Sequence, residues 1–402
     1  MMKRSLRVIA LLLLVATVTS CRRDESMRTA LARAEALLES DPHAARAVLD
    51  SLENVLRRPS TLSRQPSSPR LSKSDAALYA LLRMQADYKC DVPLTSDSLA
   101  RVATDYYGMP RCKNYHAAMA WYTLGCVYTD KQEDSKAISA YLKACDCFPD
   151  TTSRYYPLTL QNLGRHYLNR NMLAEATSAF TRFGNLSESI GESNLLAFAR
   201  YYLGFTRLLQ FDYETADSLF DLLLDSDTFR ASYMAGAFLH KAKIAFYSKD
   251  DHLQAFAYLR NYRKVIQADS LFGAGFCLMG DIFAAENKLD SAYFYYKKAL
   301  DCKDELYSLA TTNHHLGDVI MRLHDADEAK TCIDQYDLLL DSIYRRRNRD
   351  DVSAVTYAYE TEKREAAYRS KLRLHYVYGV ASVAVFILTV FLFLTSSMRH
   401  PK

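Results

Sequence analysis

A small residue recurs at the same place in a helical pattern that is repeated six times along the chain. The first copy shows the i, i+3, i+4, i+7 spacing of one helix face at Trp121, Leu124, Gly125 and Tyr128. Gly125 costs this helix about 1 kcal/mol relative to alanine. The glycine position recurs every 37 to 40 residues, as Gly164, Gly204, Lys243, Gly280 and Gly317. Five glycines in six copies predict that two helix backbones approach closely here.

A second helix follows each of these helices after a short polar turn. Its first marker lies twelve residues after the glycine position and is alanine in all six copies: Ala137, Ala176, Ala216, Ala255, Ala292 and Ala329. Four residues later comes a large apolar side chain: Tyr141, Phe180, Phe220, Leu259, Tyr296 and Ile333. Small residues allow two helices to approach and large residues fill the space beside them, so the pattern predicts stacked helix pairs.

The unit resembles the tetratricopeptide repeat (TPR) family, a helix-turn-helix with a W-L-G-Y first helix and an A-F-A-P second helix. The first copy matches at Trp121, Leu124, Gly125, Tyr128, Ala137, Tyr141, Ala144 and Pro149. The resemblance implies an all-α, TPR-type superhelical solenoid, with about six repeats over 111–344 preceded by degenerate helix pairs over 22–110. The fourth copy departs at Lys243, and we expect its helices to lie slightly farther apart.

Composition and motifs favour a binding protein over an enzyme or a nucleic-acid-binding protein. The net charge is +4, and no basic stripe of the kind that nucleic acid requires is present. The P-loop, HExxH, GxSxG and CxxC motifs are absent. The neighbours His314 and His315 diverge by about 100° on a helix, so they cannot chelate one ion without other ligands. We therefore expect no catalysis, no cofactor and no metal.

Both ends of the chain carry membrane signals. Residues 1–21 have a basic start, an apolar run and small residues before Cys21, which is typical of a lipoprotein-type signal peptide. A plain signal peptide with an incidental cysteine is the alternative. Residues 376–394 hold no charge and are long enough to span a bilayer. Between the repeats and this span, the charged segment 345–375 is predicted to form a solvated connecting helix, for which a coiled coil is the weaker alternative.

These signals predict a bacterial inner-membrane protein whose repeats lie in the periplasm and whose tail, 395–402, is cytoplasmic. The distribution of basic residues conflicts with this topology, because cytoplasmic flanks of a span usually carry the excess of Lys and Arg. Here five basic residues precede the span and only two follow it: Lys363, Arg364, Arg369, Lys371 and Arg373, then Arg399 and Lys402. We give the N-terminal signal greater weight, because a large domain that follows it is translocated largely regardless of local charge. An outer-membrane location is the alternative.

Tyrosine is the most informative side chain for a binding surface, with 29 in the chain. In TPR arrays the first helix of each repeat lines a concave groove. Tyr122, Tyr201 and His240 precede the glycine positions on such helices and are our candidate groove residues. A tyrosine there can stack on a sugar or pack against a peptide while its hydroxyl hydrogen-bonds. Ordinary core packing is the alternative for each of them.

The order of segments resembles the TPR-containing membrane regulators of Bacteroidetes, in which an exported repeat array precedes a charged helix and a span. The stretch YETEKREAAYRSK, residues 359–371, carries this likeness together with residues 79–107. The resemblance implies a membrane-anchored periplasmic scaffold or sensor whose groove takes a protein, a peptide or a glycan. One departure from those regulators is that this chain stops eight residues after Leu394, which is too short for an output domain of its own. The alternative is a surface TPR lipoprotein of the outer membrane that captures glycans.

Overall fold

The computed structural model describes residues 25–57, 71–108, 113–225, 231–266, 272–302 and 305–347, with single positions between 355 and 378. The chain divides into two compact units, Met1–Asp350 and Asp351–Lys402. All regular structure of the described residues is helical. In the second unit, the described positions (355, 356, 358, 359, 361, 363, 364 and 378) are helical as well.

Sixteen helices make up the described part of the first unit. Their bounds are α1 25–37, α2 Pro42–Arg57, α3 Lys73–Lys89, α4 Ser98–Tyr107, α5 Tyr115–Asp130, α6 Asp134–Cys147, α7 Tyr155–Asn169, α8 Leu173–Ser189, α9 Ser193–Leu209, α10 Tyr213–Leu224, α11 Ala231–Tyr247, α12 His252–Ile266, α13 Gly273–Ala285, α14 Leu289–Leu300, α15 Leu306–Arg322 and α16 Ala326–Arg347.

The helices stack in chain order. From α2 onward, each helix packs against the next one along the chain, as a solenoid requires. First helices of neighbouring pairs also contact each other directly, as in α3 with α5, α9 with α11, α11 with α13, and α13 with α15. These odd-numbered helices are called the inner layer below, and its helices contact one another without interruption from α9 to α15. The prediction of an all-helical solenoid is confirmed for the described residues.

The recurring glycines lie beneath the aromatic rings of the second helices. A Cβ atom on Gly125 would lie 2.5 Å from Tyr141 Cε1, and one on Gly280 would lie 2.5 Å from Tyr296 Cε1. The same site under the ring of Phe180 is occupied by Gly164, where the distance is 2.7 Å. The alanines that mark the second helices are all 0% exposed: Ala137, Ala176, Ala216, Ala255, Ala292 and Ala329. Close ring-to-backbone packing thus offsets the helical cost of the glycines.

The fourth repeat also has a small residue at the close approach of its helices, but one position earlier than the spacing predicts. In the other five repeats, the turn is closed by an N–H that bonds the carbonyl three residues after the glycine, as Glu133 bonds Tyr128. In the fourth repeat the corresponding N–H of Asp251 bonds the carbonyl of Ala245. This identifies Ala242, which is 0% exposed, as the counterpart of the glycines. The assignment of Lys243 was therefore wrong, because the turn contains an extra residue.

Each turn between the helices of a repeat contains one residue with left-handed backbone geometry. Their φ angles lie between 55° and 70° at Gln132, Asn171, Phe211, Asp250, Asn287 and His324. Six left-handed residues that are not glycine each cost about 1 kcal/mol. The hydrogen bond that closes each turn holds this geometry in place.

The predicted membrane segments lie largely outside the described residues. This applies to residues 1–21, which include Cys21, and to 376–394 apart from Tyr378. None of the helices in the described part of the chain is both long and apolar enough to cross a bilayer. The last helix of the array, α16, extends to Arg347, three residues past the predicted boundary at 344.

Candidate functional site

A cavity of about 210 Å³ opens on the inner layer near the N-terminal end of the array. Its walls come from the turn after α1, from α3, from α5 and from the start of α7. The lining residues are Glu39 from the turn, Gln85, Tyr88 and Lys89 from α3, Met119, Tyr122, Thr123 and Cys126 from α5, Arg154 from the position before α7, and Tyr155 and Leu158 from α7. Three first helices thus converge on one space, as expected of a binding groove.

Gln85 is the polar side chain that distinguishes this cavity. It lies on α3 between Met84 and Ala86, which are both buried, and is itself only 8% exposed. Its Nε2 atom has no hydrogen-bond partner. An unsatisfied buried donor costs about 1–3 kcal/mol, and native proteins contain few of them. An acceptor oxygen supplied by a ligand in the cavity would remove this cost.

The rim of the cavity is held together by a charged cluster from distant parts of the chain. The Glu39 carboxylate accepts a hydrogen bond from the Tyr155 hydroxyl at 2.5 Å and one from Lys89 Nζ at 2.9 Å. Burial alone would raise the pKa of Glu39, but these two donors outweigh it and lower the pKa. The carboxylate is therefore ionised at neutral pH. Arg154 adds a further positive charge to the lining.

The floor of the cavity is aromatic and surrounds a thiol. Tyr122 lies 5.5 Å from Tyr155 and 6.0 Å from Tyr141, measured between ring centroids. The Tyr141 hydroxyl points to Cys126 Sγ at 3.6 Å. Burial raises the pKa of Cys126 to about 11, although hydroxyls from Tyr141, Tyr122 and Tyr88 lower it. The thiol is thus protonated at neutral pH and unsuited to act as a nucleophile.

The structure places the three predicted groove residues at two different locations. Tyr122 lines the cavity, although it is only 6% exposed. Tyr201 and His240 meet each other on α9 and α11, with 3.4 Å between the Tyr201 hydroxyl and His240 Nε2. His240 is 7% exposed and is stacked against Phe205 and Phe220. Burial lowers the pKa of His240 to about 3. Its surroundings are those of a core residue.

Sequence reasoning missed most of the cavity. Glu39, Gln85 and Tyr155 come from three separate stretches, and no spacing in the sequence links them. One local signal was available, since Gln85 is an uncharged polar residue within the largely apolar run AALYALLRMQA of α3. A buried glutamine without a partner on its own helix indicates a contact elsewhere.

Residues 118–151, which include most of α5 and all of α6, match the family model described as "Tetratricopeptide repeat". Among solved structures, the apo form of the quorum sensor NprR from B. thuringiensis has 12% identity and a TM-score of 0.54, covering 79% of this chain and 99% of that one. The apo form of RapI has 12% identity and a TM-score of 0.49, covering 68% and 99%. A tetratricopeptide repeat protein from Parabacteroides merdae has 16% identity and a TM-score of 0.41, covering 74% and 99%. No curated protein matches the chain.

The one-repeat match and the similarity to NprR agree on the architecture. At 12% identity, the likeness to NprR concerns the fold alone. The chain thus contains a TPR unit within a TPR-like helical solenoid. The role of the cavity has to be argued from its own residues.

Proposed function

We propose that this chain is a TPR-type scaffold that binds a peptide or a protein segment in the cavity between α3, α5 and α7. The observation that carries the proposal is the buried Nε2 of Gln85, which has no partner and lines this cavity. A peptide carbonyl or carboxylate is the acceptor that this donor lacks. The aromatic floor around Tyr122 supplies apolar contact for the adjoining side chain.

The size of the cavity favours a peptide over a glycan. At about 210 Å³ it is smaller than small-molecule sites, which commonly occupy about 300–1,000 Å³. It suits one anchoring side chain with its backbone, and the rest of a partner would extend along the inner layer. At the rim, Lys89 and Arg154 outnumber Glu39 and favour an acceptor group on the ligand.

The test is the binding of a peptide library to the full-length protein and to two variants. Gln85→Leu removes the unpartnered amide and keeps the volume, so we expect at least a tenfold loss of affinity for the peptides that the unaltered protein selects, in line with a lost hydrogen bond of about 1.5 kcal/mol. Gln254→Leu, an exposed change on α12, is the matched control. Circular dichroism verifies that both variants are folded.

Three outcomes would contradict the proposal. Equal affinities of Gln85→Leu and the unaltered protein would show that peptides do not bind through Gln85 in this cavity. Selection of no peptide at all would show that peptides are not the ligand. Binding of glycans on an array, with no peptide selected, would favour the glycan-capturing alternative.

We also propose that the scaffold is anchored to the inner membrane, with the repeats in the periplasm. The uncharged run 376–394 and the signal-like segment ending at Cys21 support this proposal. Recovery of the protein with the inner-membrane fraction is the expected result, and recovery with the outer membrane would overturn it. Mass spectrometry of the mature N-terminus tests lipidation, which an unmodified residue 21 would exclude.

A further inference from the structure

Three metal-ligating side chains meet at the junction of the fifth and sixth repeats. Cys277 and Asp281 lie one turn apart on α13, and His315 reaches them from α15. The sulfur, a carboxylate oxygen and a ring nitrogen all lie within 4.8 Å of one another. Within the described residues, no other group of three such side chains converges in this way. The neighbouring His314 is exposed and packs on Tyr336 instead, with 4.9 Å between ring centroids.

The carboxylate at the centre of this cluster is held by two tyrosines. The Tyr247 hydroxyl donates to Asp281 Oδ2 at 2.5 Å, and the Tyr296 hydroxyl donates to Oδ1 at 2.7 Å. His315 Nδ1 also lies 2.6 Å from Oδ1. Hydrogen bonds of this kind orient a metal ligand and raise its affinity for the ion. The side chain of Asp281 is 9% exposed and that of His315 is 31% exposed, so the cluster is accessible from one side.

We propose that Cys277, Asp281 and His315 form a zinc-binding site. Thiolate, imidazole and carboxylate are the three ligand types that Zn²⁺ accepts, at about 2.3 Å for sulfur and about 2.0–2.2 Å for nitrogen and oxygen. Tetrahedral bonds of that length place the ligand atoms roughly 3.3–3.6 Å apart. Rotamer changes of the Cys277 and His315 side chains bring the cluster from its present spacing to this one.

Binding requires both coordinating atoms to give up a proton. The Cys277 thiol releases its proton to solvent. The Nδ1 proton that His315 shares with Asp281 leaves to solvent from the charged ring, or moves to Nε2 in the neutral ring, so that the coordinating imidazole is neutral in both cases. Nδ1 then coordinates the ion in place of that hydrogen bond, while the tyrosine hydroxyls remain on the carboxylate. Three protein ligands leave the fourth position of the tetrahedron for water or for a donor group of a partner.

Zinc at this position would add a coordination link between two repeats that already share packing and hydrogen bonds, such as the one from the Tyr293 hydroxyl to Glu328. Cys277 and Asp281 belong to the fifth repeat and His315 to the sixth. The metal would therefore stabilise the C-terminal half of the array by the free energy of binding. This role is separate from the peptide cavity, which lies between α3, α5 and α7.

The experiment measures zinc binding to the full-length protein under reducing conditions, by competition with a chromophoric chelator. We expect one high-affinity zinc per chain. Cys277→Ser and His315→Gln should each weaken zinc binding at least about a hundredfold, since each removes a ligand. Tyr247→Phe should weaken zinc binding about tenfold, because it removes only a hydrogen bond to the ligand Asp281. His314→Gln is the matched control and should bind as the unaltered protein does.

Cobalt provides a second readout, which tests the unaltered protein directly. Co²⁺ bound to a thiolate gives a near-ultraviolet charge-transfer band, which we expect in the unaltered protein and not in Cys277→Ser. Absence of this band from the unaltered protein would overturn the proposal. So would zinc affinities that differ by less than threefold between His314→Gln and the Cys277 and His315 variants, because the three side chains would then form only a hydrogen-bonded network.

Discussion

At the scale of single residues, four of the recurring glycines lie under an aromatic ring, and this ring is tyrosine only where its hydroxyl has a partner. The residue after the glycine supplies a partner in both cases, since Tyr141 donates to Cys126 at 3.6 Å and Tyr296 donates to Asp281 at 2.7 Å. The Tyr141 hydroxyl also shares a hydrogen bond of 3.0 Å with Thr129. In the two repeats with phenylalanine, the residue after the glycine is Arg165 or Phe205 instead. A buried hydroxyl requires a hydrogen bond, so the two positions vary together.

The space above each glycine predicts opposite effects of the same substitution. At Gly125, a Cβ would lie 2.5 Å from the Tyr141 ring, so Gly125→Ala should destabilise the protein by about 1–3 kcal/mol despite the better helix propensity. At Gly317 the nearest atom is 3.5 Å away, and Gly317→Ala should stabilise it by about 0.5–1 kcal/mol. Thermal unfolding of both variants tests the prediction, and a larger loss at Gly317 would contradict it.

His240 should make the protein sensitive to acid. Burial and, to a smaller extent, the nearby charge of Lys243 lower its pKa in the folded state to about 3, against an ordinary value of 6.5. The stabilising effect of the neutral ring is fully present above pH 6.5 and is lost as the pH falls toward 3, by up to about 1.4 kcal/mol per pH unit. His240→Phe, whose ring suits the space between Phe205 and Phe220, should lose less stability on acidification.

The measurement is the unfolding midpoint in denaturant at a series of pH values from 7 down to 4. The exposed His314→Gln is the control, and its midpoints should fall in parallel with those of the unaltered protein. Parallel curves for His240→Phe as well would mean that His240 is not the source of the acid sensitivity.

At the scale of helices and turns, the fourth repeat shows that the small residue lies where the two helices of a repeat approach each other, even when the number of residues in the turn changes. Its turn contains one extra residue, which the hydrogen bond from Asp251 to Ala245 absorbs. Fixed spacing therefore assigned Lys243 to a place that Ala242 occupies. The shift keeps a small residue at the close approach and leaves the lysine half-buried.

Two substitutions on α11 test this assignment. Ala242→Leu places three additional carbon atoms at a fully buried position, and we expect a loss of about 1–3 kcal/mol in unfolding free energy. Lys243→Ala should change it by no more than about 0.5 kcal/mol. Chemical denaturation of both variants gives the answer, and the reverse order of effects would restore the assignment made from spacing.

Sequence periodicity was sufficient to predict the helix pairs, because each pair is defined by residues within about one repeat. The cavity could not be predicted in this way, since Glu39 and Tyr155 meet only after three helix pairs have stacked. The cluster around Asp281 could not be predicted from periodicity either. In the sequence His315 is adjacent to His314, whereas in the structure it contacts Asp281 of another repeat.

At the scale of the whole molecule, an array in which helices pack mainly on their neighbours should respond locally to a local change. Glu39 joins the turn after α1 to α3 and α7 through Lys89 and Tyr155. Loss of these partly exposed contacts should cost about 1 kcal/mol. Glu39→Ala should therefore speed amide hydrogen exchange about fivefold in α1 to α3 and leave α11 to α16 unchanged.

Hydrogen exchange followed by mass spectrometry resolves these segments. Glu214→Ala, at an exposed position on α10, is the matched control and should leave α1 to α3 unchanged. A uniform acceleration along the whole array in Glu39→Ala would show that the repeats unfold as one unit.

The contact between Glu39 and Tyr155 also determines when the cavity can form during synthesis of the chain. These residues are 116 positions apart, so the carboxylate leaves the ribosome well before the hydroxyl that it binds. At roughly 5–20 residues per second, the interval is about 6–23 seconds. During synthesis, α1 to α6 exist first without the wall that α7 provides. A nascent chain thus acquires a complete cavity only once the first helix of its fourth pair has emerged.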